Sequence, residues 1–179
     1  MNGIMSKMYG LFETMTCTHV NAKFGSSLLL SGDGKKQFVD ALSSTVNNLS
    51  ESGHVSVWQF DSENIDDIDA EEKWFQIGED LVGDPTRFQK LGSAVAISRD
   101  GKYIATSAPS NDFFRGLVHV SRWNGDFWDS ADPLSGDNMN EDFGHDVVLT
   151  EEGYHLAVGA PGTSSFSRGG LSRVFEWKR

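Results

Sequence analysis

The sequence has few of the features that stabilise small secreted scaffolds or anchor a chain in a membrane. Cys17 is the only cysteine, which excludes an intrachain disulfide. No stretch approaches the roughly 20 consecutive apolar residues of a membrane-spanning helix, so we expect no direct membrane insertion. Residues 1–23 also lack the continuous apolar core of a signal peptide. The location stays undetermined; it would be extracellular or at the cell surface if the chain is a fragment of a longer secreted protein.

Basic residues are scarce relative to acidic ones. The 15 lysines and arginines stand against 26 aspartates and glutamates, for a formal net charge of −11. Nucleic acid is therefore not an expected partner, because contacts to phosphates need clustered Lys and Arg side chains. Cationic partners and metal ions remain open, although so large a charge also serves simply to keep a protein soluble.

Recognisable catalytic patterns are missing as well. The sequence contains no HExxH, GxSxG, P-loop or Rossmann motif. Its five histidines are scattered, without the paired spacing of a zinc site. An enzyme would need converging titratable groups, for which His119, Glu151 and Asp112 are the candidates to test. We predict that the chain is not an enzyme and has no cofactor.

What the sequence does contain is one pattern written three times, beginning at Phe24, Leu91 and Phe143. Three sets of residues recur at common offsets from these starts: Gly25, Gly92 and Gly144; Gly34, Gly101 and Gly153; and Ala41, Ala108 and Ala160. Internal periods of roughly 40–50 residues indicate stacked supersecondary units, none of which can bury its apolar face alone.

Each copy has the signals of a small antiparallel sheet. Val95 and Ile97 alternate with small residues, as in a half-buried strand, and Asp-Gly pairs at 33–34 and 100–101 are hairpin turns. A glycine leads a third strand in each copy, and a fourth is suggested around Trp74 and Trp128. We predict an all-β fold, a partial β-propeller of about three four-stranded antiparallel blades. The tryptophans should pack between blades, and for Trp128, which lies beside Asp126 and Asp129, partial exposure is the alternative.

The repeated motif resembles the FG-GAP repeat of integrin α-chain propellers. The third copy carries both elements of that name, Phe143-Gly144 and Gly159-Ala160-Pro161. The second copy has Leu91-Gly92 and Ser107-Ala108-Pro109, and the first keeps Phe24-Gly25 with Leu42 in place of the proline. The resemblance covers about residues 24–179 and implies a propeller that acts as a binding platform. WD40 repeats are the alternative family, with the same fold.

The resemblance also raises the question of calcium, which integrin-type repeats often hold in the turn between their first two strands. The corresponding turns offer Asp33, Asp100 and the pair Glu151-Glu152. One or two carboxylates cannot supply the six or more oxygen ligands of calcium, so we predict no metal site there. The acidic segment 61–72 is most simply an insertion in a hairpin loop, and whether it binds cations stays open.

The repeats divide the chain into four segments. Residues 1–23 are the trailing strand of a preceding blade or an N-terminal extension, 24–90 form the first repeat with its insertion at 61–72, 91–142 the second, and 143–179 the third, with three strands. The stretch around Tyr9 to Met15 sits where a fourth strand should precede Phe24, and the last copy stops after its third strand at Trp177. Two outcomes are expected: a homodimer formed by strand exchange, or further repeats in a longer chain.

Phe113, Phe114 and Arg115 are the candidate binding residues, because they interrupt a polar loop with two aromatics and an arginine, residues that anchor interfaces. The alternative is that the two aromatics cover the neighbouring blade. We expect a non-catalytic interaction module that engages a protein or glycan ligand. A structural repeat segment of a larger cell-surface protein is the second hypothesis, and a propeller hydrolase or lyase the third.

Overall fold

A computed structural model describes residues 15–17, 22–43, 52–61, 73–83, 90–162 and 169–177. Over these residues the fold is nearly all β, at 51% strand and 3% helix, as the sequence predicts. Within the described residues, none of the helical structure is long and apolar enough to cross a membrane. Most of the predicted N-terminal segment 1–23 and residues 62–72 of the predicted insertion lie outside the described ranges.

The strands form three antiparallel sheets in chain order. Sheet 1 contains β1 (Phe24–Leu30), β2 (Lys36–Ala41), β3 (His54–Asp61), β4 (Lys73–Gln76) and β5 (Leu81–Val82). Sheet 2 contains β6 (Val95–Ile97), β7 (Tyr103–Ala108), β8 (Leu117–Trp123), β9 (Trp128–Ser130) and β10 (Leu134–Ser135). Sheet 3 contains β11 (Asp146–Leu149), β12 (His155–Ala160) and β13 (Leu171–Glu176). A short segment, α1 (Asn111–Phe114), precedes β8.

The predicted fourth strand is divided in two. β4 and β5 pair with the two ends of β3, and β9 and β10 pair with the two ends of β8. Each division falls at a short irregular stretch, Ile77–Asp80 in sheet 1 and Ala131–Pro133 in sheet 2. Sheets 1 and 2 therefore have five strands rather than four.

The turn between the first two strands is built alike in all three sheets. A hydroxyl oxygen at the start of each turn accepts the backbone N–H five residues later, in the pairs Lys36 to Ser31, Tyr103 to Ser98 and His155 to Thr150. In the first two turns an aspartate, Asp33 or Asp100, accepts both that hydroxyl and a backbone N–H two residues on. These carboxylates are thus engaged within their own turns.

Sheet 2 lies between the other two sheets, and its two faces belong to different cores. Ile104 and Ala105 are consecutive on β7 and point to opposite faces, as the pleat of a strand requires. Ile104 packs in the core shared with sheet 1, whose other buried members are Phe38, Val55, Val57, Ile77 and Trp128. Ala105 packs in the core shared with sheet 3, whose other buried members include Val118, Phe143, Val147, Leu156 and Val158.

Trp128 is buried between sheets 1 and 2, as predicted for the tryptophans, and the alternative in which it is partly exposed is wrong. Its ring packs against Phe38 and Trp123, with centroids 5.9 Å and 5.2 Å away, and its indole N–H donates to the Ile77 carbonyl at 3.4 Å. The adjacent Asp129, which suggested exposure, points to the other face of the short strand and is exposed. Strand alternation therefore separates the aromatic from its acidic neighbour.

Candidate binding site

The three candidate residues lie in a backbone segment of unusual conformation, residues 110–116, called here the Phe113 loop. Asp112, Phe113 and Phe114 have φ angles of 47°, 56° and 59°, in the left-handed region. That region costs about 1–2 kcal/mol for each residue that has a β-carbon, and a bulky residue there is a clear outlier. The surrounding structure must therefore stabilise the loop.

The stabilising partner is residues 136–143, called here the Glu141 loop. Backbone N–H groups of this loop donate to three consecutive carbonyls: Asn140 to Phe113, Asp142 to Phe114 and Phe143 to Arg115, at 3.1, 2.7 and 3.2 Å. Gly136 N–H donates to the next carbonyl, that of Gly116, at 3.2 Å. Hydrogen bonds from one neighbouring loop to four successive carbonyls therefore hold the left-handed segment in place.

Glu141 holds the second loop in shape and connects it to sheet 3. Its carboxylate is buried, and Oε2 accepts the backbone N–H groups of Asp137 and Asn138 at 3.0 and 2.9 Å. Its other oxygen, Oε1, accepts Arg173 Nη2 at 2.7 Å, and the same nitrogen donates to Asp137 Oδ2 at 2.7 Å. The Arg173 guanidinium also lies over the Phe143 ring, 5.3 Å from its centroid. An arginine on β13 thus fixes the Glu141 loop.

The two loops present apolar side chains to solvent. Phe113 is 72% exposed, and Phe114 and Met139 are also exposed. Neither aromatic belongs to the cores between the sheets, so the alternative in which they cover a neighbouring blade does not hold. Exposed large apolar residues held on a defined backbone are typical of interaction sites.

Arg115 lies beside the aromatics but is used within the loops. Its Nε donates to Asp112 Oδ2 at 3.0 Å, and one of its terminal nitrogens donates to the Asp137 carbonyl at 3.2 Å. The side chain therefore joins the base of the Phe113 loop to the Glu141 loop. We assign it a positioning role, beneath the aromatic residues that a ligand would contact.

The surroundings of the site are acidic. Asp112, Asp137 and Asp142 lie in the two loops, and Asp142 Oδ2 accepts a hydrogen bond from His145 Nδ1 at 2.9 Å. Within the described residues, no group of three or more His, Cys, Asp or Glu is arranged to hold a metal ion.

The residues considered for catalysis are not brought to one place. Asp112 lies at the end of the sheets where β8 and β11 begin, and His119 lies in the middle of β8. Glu151 follows β11 at the opposite end of that strand, where it forms an exposed ion pair with Arg99 at 3.1 Å. The three groups therefore do not form a constellation with which proton transfer at one substrate atom is feasible.

Comparison with known proteins adds no assignment: no protein-family model matches the chain, and no curated protein is significantly similar to it. Functional inference therefore depends on the residues of the site. Sequence reasoning found the aromatic pair but missed Met139, Glu141 and Arg173. Glu141 and Arg173 are 32 residues apart in the chain. No local signal indicates that they meet.

Proposed function

We propose that the chain is a non-catalytic binding module, built of FG-GAP-like β-propeller units, whose Phe113 loop engages a protein ligand. The observation that carries the proposal is Phe113, 72% exposed on a left-handed backbone. Left-handed strain and an unburied aromatic both lower the stability of the free chain. Strained residues cluster at ligand-binding positions, where a bound partner recovers the cost by covering the side chain.

The chemistry of the site favours a protein over a glycan. Glycan recognition needs polar groups beside an aromatic platform, and here Asp112, Asp137 and Glu141 already bind arginines of this chain. The side chains that stay exposed at the site are apolar. They include Met139, whose flexible thioether adapts to a protein surface. Because the surroundings are acidic, we expect a partner segment that carries an apolar residue flanked by Lys or Arg.

A second candidate function, a structural repeat segment of a larger cell-surface protein, is favoured by a different observation. The outer faces of the stack expose Leu28 and Leu30 on sheet 1 and Val148 and Val174 on sheet 3. Stacked repeats cover such faces with the next unit. In that case the aromatics of the Phe113 loop would have no effect on the binding of any ligand.

A selection experiment tests the first proposal. A phage-displayed library of random peptides is panned on the immobilised chain, and the selected sequences are synthesised and titrated against the wild type and the Phe113→Ser/Phe114→Ser variant. We expect peptides rich in apolar and basic residues, whose affinity falls at least about tenfold in the double variant, as for hot-spot residues. Affinity should also fall as ionic strength rises.

Phe127→Ser is the matched control, since Phe127 is equally an exposed phenylalanine but lies in the turn between β8 and β9. It should leave peptide affinity unchanged. Peptides that bind the wild type and the double variant equally, or a library that returns no binder, would contradict the proposal. Binding on a glycan array that the double variant loses would instead identify a glycan as the ligand.

A further inference from the structure

The outer edge of β13 lacks the strands that follow the third strand in the other two sheets. β4 and β5 pair with β3, and β9 and β10 pair with β8. β13 pairs with β12, and no strand within the described ranges pairs with its other side. The backbone groups on such an edge are a template for an added strand.

The added strands of sheets 1 and 2 share a feature that sheet 3 lacks. In each, an aromatic residue lies directly opposite the last aromatic of the third strand: Trp74 opposite Phe60, and Trp128 opposite Trp123. The ring centroids of these pairs are 5.4 Å and 5.2 Å apart. Cross-strand aromatic pairs of this kind stabilise a sheet edge.

A cavity lies where sheet 3 would receive the matching aromatic. Trp177 corresponds to Trp123 in sheet 2. The backbone N–H of Trp177 donates to the carbonyl of Tyr154, just as the backbone N–H of Trp123 donates to the carbonyl of Lys102. A cavity of about 450 Å³ adjoins Trp177, and its apolar lining includes Tyr103, Val120, Ala131, Leu134 and Phe175. Between sheets 1 and 2 the corresponding position is filled by Trp128, so the cavity has room for a large aromatic side chain.

The outer face of sheet 1 is exposed at positions that the other sheets bury. Val95 and Ile97 pack against sheet 1, and Val147 and Leu149 pack against sheet 2. Leu28 and Leu30 hold the same register positions on β1, and both are more than half exposed. A sheet of the same kind would cover these two leucines, as sheets 1 and 2 cover their equivalents in the following copies.

The outer face of sheet 3 is exposed in the complementary way. Ala96 and Val120 of sheet 2 pack in the core shared with sheet 3. Their register equivalents in sheet 3, Val148 and Val174, are exposed. The exposed faces of sheet 1 and sheet 3 are therefore complementary. If sheet 1 of one copy packed on sheet 3 of another, the interface would resemble the two sheet-to-sheet interfaces within the chain.

The chain contains a segment suited to the cavity. Tyr9 precedes Phe24 by the same number of residues that separate Trp128 from Phe143. Cys17, which follows the segment, has its Sγ 3.9 Å from His54 Nε2, on the face of sheet 1 that points away from sheet 2 and therefore on the side of the molecule opposite β13. A second copy can bring its β13 to this side of the molecule.

We propose that the edge of β13 and its cavity bind the Tyr9–Met15 segment of a second copy, with Tyr9 opposite Trp177. Sheet 1 of the donor then stacks on sheet 3 of the acceptor and covers Val148 and Val174. The exchange is reciprocal, so the product is a closed dimer. The Phe113 loop has no part in this joint, and the inference is independent of the function proposed for it.

Light scattering of the full chain over a range of concentrations tests the proposal. The wild type should be a dimer. Tyr9→Ala removes the donor side chain and Ala131→Trp fills the acceptor cavity, and each should raise the dimer dissociation constant at least about tenfold, as expected for loss of a central interface anchor. An equal mixture of the two variants should form more dimer than either variant alone, because one of the two joints of the mixed dimer then has an intact donor and an intact acceptor.

Phe127→Ala, which removes an exposed aromatic outside the joint, should leave the dimer intact. Far-ultraviolet circular dichroism and a cooperative melt like that of the wild type show that each variant is folded. A wild type that is monomeric at all concentrations would overturn the proposal. So would a dimer insensitive to both variants, or association without a defined stoichiometry, since either would place the contact elsewhere.

Discussion

Gly116 lies directly against the backbone of Phe143. A β-carbon on this glycine would overlap the Phe143 carbonyl and would lie 2.6 Å from its amide nitrogen. Gly53 meets Leu91 in the same way, where a β-carbon would lie 2.5 Å from the Leu91 nitrogen. The glycine that leads the third strand and the first residue of the following copy are thus the two halves of one joint between sheets.

Gly116→Ala should therefore be among the most destabilising single substitutions in the chain. The alanine would occupy a left-handed position, at φ +85°, and would displace the Phe143 backbone. We expect a loss of about 4 kcal/mol in the free energy of unfolding, the upper end of single-substitution effects. Urea denaturation followed by tryptophan fluorescence measures it.

Gly34→Ala separates the cost of the left-handed backbone from the cost of the overlap with Phe143. Gly34 also has a positive φ, of 70°, but no atom lies within 4 Å of the position of its β-carbon. Its alanine variant should lose only the conformational term, about 1–2 kcal/mol. Equal losses in the two variants would show that close approach to Phe143 does not limit position 116.

The strands and turns of this fold could be predicted from sequence because their signals are local. Ser31 and Asp33 build a turn from hydrogen bonds that span at most five residues. The contact to the hydroxyl recurs in all three copies, and the contacts to the aspartate recur in the second copy. The recurrence also located the glycines at the joints, although not their partners. The local signals that recur in the sequence were therefore sufficient to predict strands and turns.

The candidate site could be predicted only in part, because its geometry depends on contacts between distant residues. Phe113 and Phe114 stand out by composition, but their left-handed backbone follows from hydrogen bonds to residues 140 and 142. The brace from Arg173 to Glu141 forms only once β13 is in place. Two alternatives stayed open for Trp128 for the same reason, since its neighbours on sheet 1 are remote in the chain.

Glu141→Gln tests the brace. One amide oxygen cannot accept from both the backbone N–H groups of the loop and Arg173, so the variant leaves buried donors unsatisfied. We expect a loss of about 2–3 kcal/mol in stability, as for hydrogen bonds to charged groups. Glu151→Gln is the matched control: its pair with Arg99 is exposed, and the change should be within about 0.5 kcal/mol. Similar losses in both would refute a special role for Glu141.

Calcium should not bind with micromolar affinity. The turn carboxylates of Asp33 and Asp100 already accept hydroxyl and backbone hydrogen bonds, and each turn supplies too few oxygens for a six- to eight-ligand shell. Titration calorimetry should detect no saturable site, and the melting temperature should be the same in calcium and in chelator. A saturable submicromolar site would redirect attention to the acidic segment 61–72.

Asp40 and Asp33 should affect the pH dependence of stability with opposite signs. Burial raises the pKa of the Asp40 carboxyl, although the Ser27 N–H that it accepts acts in the other direction. Within the described residues its second oxygen, Oδ2, has no hydrogen-bond partner. Burial acts against the Asp33 carboxylate as well, but the Ser31 hydroxyl, the Lys35 N–H and the charges of Lys36 and Lys35 outweigh it and lower its pKa.

The signs follow from proton linkage. Folded Asp40 binds its proton more tightly than the unfolded chain does, so its contribution is present at low pH and is lost as pH rises through its raised pKa. Asp40→Asn should therefore gain stability relative to the wild type as pH rises from about 4 to 7. Asp33 contributes above its unfolded pKa and loses that contribution in acid, so Asp33→Asn should become less stable than the wild type over the same rise. Urea titrations across this range measure both differences. If the stability of Asp40→Asn relative to the wild type stays flat or falls as pH rises, the pKa of the Asp40 carboxyl is not raised in the folded chain.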